Sequence, residues 1–454
     1  MILLKDIILK SNLSNDVQSV FSDLCDKYVA HHCDDQRRKS RKSINNTRID
    51  ADSSKVDLEA AATASKFFAP HVDMMLSVDG EVQGRMCCGA ARADGTALAD
   101  DALYRIASMT KPVTIAASLQ MAEEGRLALD QPVADILPEF AALHLWSGAL
   151  ALEGGFLSRP LVPSDGPPMT IYDLMRHTSG LSYSVHQADA LDGAYAGQGL
   201  DAFHQRRTSV EHVAALAALP LRFVPGQRFH YSASIDLLGA VMERIEGRRI
   251  EEILSRRIFA PLGMEDSFFT VPPEKLGRLT DAWMLGEGGS ASTLYDRGGR
   301  SRWRFTPKSA SAGGGLISST QDYHQFLLML MNDGIYAGAR ILSPESVALM
   351  LRNHLPSGGD LTQEGDGPLS ETRRPGIGMG LGGAIVLDAE KAGLPGGQGC
   401  YYWGGLLSTG FFMDKARKMI GLVMTQMMPS GATSLREDFR RGVYQALLGD
   451  IRKA

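Results

Sequence analysis

The sequence lacks the features of membrane-spanning and nucleic-acid-binding proteins. None of its 454 residues lies in an apolar run of the about 18 residues that a membrane-spanning helix needs. The net charge is only −5, and no stripe of lysine and arginine with interleaved aromatic residues is present. The electrostatic footprint of a nucleic-acid binder is therefore missing. These absences favour chemistry on small molecules and predict neither a nucleic-acid nor a membrane partner.

Cysteine is also scarce. The five cysteines are odd in number and scattered, at positions Cys25, Cys33, Cys87, Cys88 and Cys400. This usage fits free thiols in a reducing compartment better than a disulfide framework. Lys5 and Asp6 interrupt the first apolar run, and no small-residue cleavage site follows it, so it does not match a secretory signal. The sequence therefore predicts a cytoplasmic protein.

The composition, 44% hydrophobic and 22% charged, is typical of a globular protein. Residues 1–60 contain a possible amphipathic helix around Val17 to Val29 and then a polar, charged run. That run predicts an exposed linker, because it offers too few apolar side chains for a core. Residues 61–454 are long enough for one large two-lobed domain. We therefore expect an N-terminal extension with a linker, followed by a single domain.

Two pairs of apolar stretches predict β-hairpins near the two ends of this domain. The first pair turns at Asp79-Gly80, and the second turns between Asp414 and Lys418. The middle third carries helical patterns joined by loops rich in glycine, proline and serine. The pattern predicts an α+β fold, with an antiparallel sheet that is flanked by helices and formed from both ends of the chain. The expected boundaries are a sheet lobe at about 66–115 and 335–454 and an inserted helical lobe at about 120–330.

Ser108 opens a predicted helix, and Lys111 follows one turn later. The helix is expected to run to Glu124 and to end at Gly125, with Pro112 in its first turn, where a missing N–H costs little. A spacing of three residues places both side chains on one face. A serine hydroxyl becomes a good nucleophile when a neighbouring base takes its proton, and a lysine can be that base. A capping serine with a surface lysine is the alternative interpretation of this tetrapeptide.

Further segments follow in an order that resembles a known family. The segments are YRIASMTKPVT around Ser108, TIYDLMRHTSGL at 170–181, PGQRFHYSASIDLLG at 225–239, RIFAPLGMEDSFF at 257–269 and GGGLISSTQDYHQFLLMLMNDG at 313–334. They resemble class C β-lactamases, D-alanyl-D-alanine peptidases and the related family VIII carboxylesterases, over about residues 70 to 450. The resemblance implies a class C β-lactamase-like fold with its active site between the two lobes, and it makes Tyr231 the catalytic tyrosine.

The third motif of this family separates its activities. The best candidate here is Trp403-Gly404-Gly405, which resembles family VIII esterases and related acyltransferases, whereas β-lactamases carry Lys-Thr-Gly. A lysine helps to hold the carboxylate of a β-lactam, and an indole has no positive charge to offer. Ala233 also replaces the asparagine of the β-lactamase pattern two residues after the tyrosine. Neutral esters are the predicted substrates, although Trp403 also fits a core aromatic at a strand edge.

The resemblance implies a role for each site residue. Ser108 is the nucleophile, and Lys111 and Tyr231 move its proton, with the identity of the formal base left open. Tyr231 also fits a buried tyrosine satisfied by a backbone carbonyl. The two oxyanion donors are the N–H groups of Ser108 and of the strand just after Gly405, around Leu406. The predicted reaction cleaves a small-molecule ester, or transfers its acyl group, without a metal or an organic cofactor.

Three other functions are weighed against this one. A β-lactam or D-amino-acid amide hydrolase would use the same fold. A catalytically silent binding or regulatory protein would have no reason to keep Ser108, Lys111 and Tyr231 together. A Ser-His-Asp hydrolase could use His177, but the sequence contains no G-x-S-x-G elbow, so we expect a structural role for His177. The sequence leaves the oligomeric state open.

Overall fold

The computed structural model describes residues 16–29, 69–146, 152–153, 156–157, 162–286, 292–364, 374–394, 397–431 and 433–449. The helices there are α1 (16–29), α2 (Thr110–Glu123), α3 (Ile171–Met175), α4 (Ala190–Gln198), α5 (Ser209–Ala217), α6 (Ser234–Glu246), α7 (Ile250–Leu254), α8 (Ala260–Leu262), α9 (Thr320–Met331), α10 (Pro344–Met350), α11 (Leu361–Glu364) and α12 (Leu435–Gly449). Within these ranges, no helix combines the length and the apolar character that crossing a membrane requires.

The strands are short outside one central sheet. They are β1 (His71–Val78), β2 (Glu81–Gly89), β3 (Tyr104–Arg105), β4 (His144–Leu145), β5 (Leu152–Glu153), β6 (Phe156–Leu157), β7 (Val162–Pro163), β8 (His204–Gln205), β9 (Ala282–Met284), β10 (Thr293–Asp296), β11 (Ser309–Ala310), β12 (Ile317–Ser318), β13 (Ile335–Tyr336), β14 (Ala339–Arg340), β15 (Ile377–Met379), β16 (Ala384–Val386), β17 (Tyr401–Gly404), β18 (Gly410–Asp414), β19 (Met419–Met424) and β20 (Met427–Met428).

The central sheet joins both ends of the domain. Its seven antiparallel strands follow the order β15-β16-β17-β18-β19-β1-β2. The first hairpin turns through Asp79 and Gly80, which have φ angles of 53° and 86°, the left-handed conformation that this turn needs. β1 pairs with β19, from Asp73 opposite Met424 to Val78 opposite Met419. The predicted antiparallel sheet, shared by the two hairpins, is confirmed.

Helices cover both faces of this sheet. On one face, Tyr323 of α9 packs against Phe411 of β18, with ring centroids 5.5 Å apart. On the other face, Phe439 of α12 packs against Phe412 at 5.9 Å and against Phe21 of α1 at 5.7 Å. Neighbouring residues of β18 thus point to opposite sides, as the alternation along a strand requires. The buried side chains of both layers form one continuous hydrophobic core.

α2 connects the sheet to the helical lobe. Its side chains from Thr110 to Leu119 are all buried, so the helix is enclosed on every side. It contacts α6 of the helical lobe. Gly239 of α6 allows a close approach of the segment that leads to β12, because a Cβ atom there would lie 2.4 Å from that of Ala312. The site residues at the start of α2 therefore lie between the two lobes.

The N-terminal helix corrects one expectation from the sequence. Cys25 of α1 and Cys88 of β2 form a disulfide, so the prediction that the cysteines are free is wrong for this pair. The hydroxyl of Tyr28 donates a hydrogen bond of 2.5 Å to Asp438 of α12, so α1 belongs to the outer layer of the sheet. Disulfides persist mainly in oxidising compartments, which removes the main argument for the cytoplasm. The predicted linker lies outside the described residues, and the boundary near residue 60 stays a prediction.

Candidate active site

Ser108 lies in a tight turn directly before α2. The turn is the 3₁₀ segment Ala107–Met109, and Ala107 has a φ of +44°, which residues other than glycine rarely adopt. The hydroxyl of Thr110 donates a hydrogen bond of 2.7 Å to the carbonyl of Ala107 and closes the turn. The helix begins two residues after the predicted start. This arrangement leaves the side chain of Ser108 half-buried at the edge of a cavity.

The predicted lysine and tyrosine meet at Ser108. Lys111 Nζ donates a hydrogen bond of 3.2 Å to Ser108 Oγ, and Tyr231 Oη donates one of 2.7 Å to the same oxygen. Lys111 Nζ also donates to the carbonyl of Gly313 at 2.7 Å and lies 4.7 Å from the ring centroid of Tyr231. Only 1% of Lys111 is exposed. The structure thus brings the serine, the lysine and the tyrosine together as one hydrogen-bonded group.

Asp236 holds the segment that fixes Lys111. Its carboxylate accepts hydrogen bonds from Ser311 Oγ at 2.6 Å, from Gly313 N at 3.1 Å and from Tyr183 Oη at 2.9 Å. A Cβ atom on Gly313 would lie 2.8 Å from this carboxylate, so a larger residue there would displace the carboxylate that holds the turn. The sequence reasoning missed Asp236 and Gly313. The run of three glycines at 313–315 is the signal that could have pointed to a close approach.

His177 lies behind Tyr231 and makes no hydrogen bond to Ser108 or Lys111 among the described contacts. Its Nδ1 accepts a hydrogen bond of 3.2 Å from the backbone N–H of Ser232, and its ring lies 4.8 Å from that of Tyr231. Complete burial, followed by the charge of Lys111, holds the pKa of His177 well below its ordinary value. The imidazole is therefore neutral, and it supports the segment that carries Tyr231.

The cavity above Ser108 has a volume of about 280 Å³ and largely aromatic walls. Trp403 of β17 lies beside the tyrosine, with its ring centroid 5.6 Å from that of Tyr231. The other aromatic lining residues, which the sequence reasoning missed, are Tyr183, Phe203, Tyr295 and Trp303. The polar lining includes Ser184, Asp201, His204, Arg302 and Ser430. A small molecule with an apolar body fits such a site.

Two polar side chains of the cavity, His204 and Asp201, are respectively neutral and hydrogen-bonded within the protein. Burial lowers the pKa of His204 to about 4, so its imidazole is uncharged at neutral pH. Asp201 accepts hydrogen bonds from the backbone N–H of Ser184 at 2.7 Å and from its hydroxyl at 2.6 Å. In the part of the chain that the structure describes, no three histidine, cysteine or acidic side chains are grouped so that they could hold a metal ion.

The strand after Trp403 runs very close to the serine. Gly404 pairs with Gly410, and the N–H of Gly405 donates to the carbonyl of Thr409 at 2.9 Å. A Cβ atom on Gly405 would lie 2.5 Å from the carbonyl oxygen of Ile106, two residues before Ser108, so only glycine allows this approach. Leu406 follows at the cavity wall, and its N–H donates to no other described residue.

Known proteins resemble the whole domain. The profile of the Beta-lactamase family matches residues 62–445. Esterase EstB from Burkholderia gladioli is 33% identical over 388 residues, which cover 80% of this chain and 88% of that protein. The lovastatin esterase from Penicillium rubens is 31% identical over 361 residues, which cover 76% of this chain and 86% of that protein.

A solved structure also shares the fold. The LovD6 mutant of simvastatin synthase from Aspergillus terreus superposes with a TM-score of 0.68 at 25% identity, over 89% of this chain and 100% of that one. The predicted class C β-lactamase-like architecture is thereby confirmed. The chain therefore belongs to the beta-lactamase family, as a serine hydrolase of the esterase and acyltransferase type.

Proposed function

We propose that the protein cleaves neutral, small-molecule carboxylic esters, or transfers their acyl group, through an acyl-enzyme on Ser108. One observation carries the proposal: Ser108 Oγ accepts hydrogen bonds from both Lys111 and Tyr231 at the base of an aromatic cavity. A nucleophile within reach of its proton acceptor is the first requirement of covalent catalysis. Lys111 Nζ also donates a hydrogen bond to the carbonyl of Gly313, which fixes its position.

In the acylation half of the reaction, Ser108 Oγ attacks the ester carbonyl carbon while its proton passes to the pair formed by Lys111 and Tyr231. The bond between that carbon and the alcohol oxygen then breaks, and the alcohol leaves with the proton from the pair. In the second half, water or another alcohol gives a proton to the same pair and attacks the acyl carbon. The Ser108 oxygen leaves and recovers its proton, so the enzyme returns unchanged.

The negative charge that develops on the carbonyl oxygen needs two fixed donors. We assign these to the N–H groups of Ser108 and Leu406. The close approach of Gly405 to the segment before Ser108 supports this assignment, because it brings the two backbones together. Loss of one such donor typically costs about 3 to 4 kcal/mol of barrier. The conformation of the turn after Gly405 thus matters as much as the catalytic side chains.

The proposed preference for esters over β-lactams depends on Trp403. Its side chain is only 5% exposed and contacts the ring of Tyr231. The carboxylate of a β-lactam bound here would lose water molecules where it lies beside the indole. The indole carries no positive charge that could compensate for this lost hydration. An ester without a distal carboxylate avoids this cost.

Intact-protein mass spectrometry tests the nucleophile directly. After brief exposure to p-nitrophenyl butyrate, the protein should gain the mass of one butyryl group, and an added alcohol should remove that group faster. The Ser108→Ala variant should gain no mass. Ser430→Ala, which removes another hydroxyl of the same cavity, should still take up the group. Labelling of Ser108→Ala to the same extent would refute the assignment.

A further inference from the structure

A second cavity of about 340 Å³ lies between the sheet and α12, on the face of the sheet turned away from Ser108. Its sheet wall contains Tyr402 and Phe412, which oppose each other across β17 and β18, and Val423 of β19, which opposes Gly410 on the same face. Trp403, the next residue along β17, points its ring toward Tyr231 instead. The two cavities therefore lie on opposite sides of β17.

A buried arginine lines this second cavity without a hydrogen-bonded partner for part of its guanidinium group. Arg440 is only 4% exposed, and its guanidinium carbon lies 5.1 Å from the ring centroid of Tyr402 and 5.8 Å from that of Phe412. Its Nε and Nη2 atoms are buried and have no hydrogen-bond partner. Buried donors without a partner are rare in folded proteins, because each loses its hydration without compensation.

The two unpartnered atoms lie on one edge of the guanidinium plane. This edge presents two parallel N–H groups, the arrangement that binds both oxygens of a carboxylate. Glu437 also lines the cavity, but its carboxylate is bonded to Arg374. The Arg440 edge is thus a preformed pair of hydrogen-bond donors for an anion that the described residues do not supply.

The rest of the lining is mixed: Leu394 and Val423 extend the aromatic surface of Tyr402 and Phe412, and the polar groups there belong to Arg374, Thr433, Ser434, Arg436 and Glu437. The volume is within the range of small-molecule sites. We propose that this cavity binds a small amphipathic carboxylic acid, with its carboxylate on the Nε and Nη2 edge of Arg440 and its apolar body against the sheet. The proposal is independent of the chemistry assigned to Ser108. The acid that an esterase releases belongs to the same chemical class.

Calorimetric titration of the full-length protein with octanoate tests the site. Wild-type protein should bind octanoate at least tenfold more tightly than octanamide, which has the same shape without the charge. Arg440→Gln should lose at least tenfold in affinity, which corresponds to about 1.4 kcal/mol. Arg440→Lys keeps the charge but not the paired donors, and should fall between the two. Arg302→Gln, which changes an exposed arginine in the catalytic cavity, is the matched control and should bind octanoate as the wild type does.

Hydrogen exchange on wild-type protein locates the ligand without any substitution. Octanoate should protect the backbone of 402–404 and 435–440 and leave exchange in the turn at 311–315 unchanged. Because only wild-type protein is used, this test remains available even if Arg440→Gln fails to fold. Inorganic phosphate should give no protection, because it lacks an apolar body. The proposal is overturned by equal affinity of wild type and folded Arg440→Gln, by protection confined to 311–315, or by no binding at millimolar octanoate.

Discussion

Removal of the Asp236 carboxylate should disable the enzyme, although this side chain does not itself line the catalytic cavity. In Asp236→Ala, the hydroxyls of Ser311 and Tyr183 and the N–H of Gly313 all lose their acceptor. A hydrogen bond to a charged group contributes at least about 1.5 kcal/mol to stability, so the three bonds together contribute roughly 4.5 kcal/mol. That energy holds the turn whose Gly313 carbonyl fixes Lys111 Nζ at 2.7 Å.

Displacement of a catalytic group by about 1 Å can cost roughly a hundredfold in rate. We therefore expect kcat for p-nitrophenyl butyrate to fall by about two orders of magnitude in Asp236→Ala, with KM changed much less, because the aromatic cavity keeps most of its walls. Asp236→Asn retains an oxygen acceptor at the same position and should recover kcat to within about tenfold of wild type.

Steady-state kinetics with both variants, together with circular dichroism, separates this effect from simple unfolding. A positioning role predicts a loss in kcat at full native signal, with rescue by asparagine. If Asp236→Ala kept the wild-type kcat while native by circular dichroism, the link from Asp236 through Gly313 to Lys111 would be refuted. A rise in KM alone would also contradict the reasoning, since it would place Asp236 among the residues that bind substrate.

Three further outcomes are expected. Ser108→Ala, Lys111→Ala and Tyr231→Phe should each lower kcat by several orders of magnitude at unchanged circular dichroism, because the three groups form one proton-transfer unit; near-normal turnover by Lys111→Ala would exclude it from that unit. The ratio kcat/KM for a butyrate ester should exceed that for nitrocefin by at least about a hundredfold, or roughly 2.7 kcal/mol, and Trp403→Lys should shift it toward the lactam; faster turnover of nitrocefin by the wild type would contradict the ester preference. Burial lowers the pKa of His324 to about 4, below its unfolded value of about 6.5, so the unfolded chain takes up a proton at a higher pH than the folded protein does. The urea concentration at half-unfolding should therefore decrease as the pH is lowered from about 6.5 to about 4. A urea midpoint independent of pH would argue against a buried neutral imidazole.

Local sequence patterns predicted much of this molecule. The turn at Asp79-Gly80 and the end of α2 before Gly125 each depend on a left-handed glycine, and the effect is confined to a few residues. The proximity of Ser108 to Lys111 follows in the same way from one turn of helix. The order of the motifs, through the family resemblance, then indicated which distant tyrosine would join them.

Contacts between distant residues could not be predicted from those patterns. Asp236 reaches the N–H of Gly313 across 77 positions, and Cys25 is 63 positions from Cys88. No local periodicity specifies which acidic residue or which cysteine will be the partner, because the choice depends on how helices and sheet pack. The buried edge of Arg440 is a similar case, since its isolation arises only when α12 covers the sheet.

The pairing of β1 with β19 has a consequence for synthesis on the ribosome. Every side chain of β1 is buried in the finished protein. This edge of the first hairpin is covered only after β19 has been synthesised, because Asp73 pairs with Met424, near the end of the chain. At translation rates of about 5 to 20 residues per second, synthesis of the residues between these two strands takes roughly 20 to 70 seconds. An apolar strand edge exposed for that long can pair with another nascent chain. Chains that end before β19 never cover this edge, so they should accumulate as aggregates. Lower growth temperatures or chaperones that bind unfolded chains should improve the yield of the complete protein.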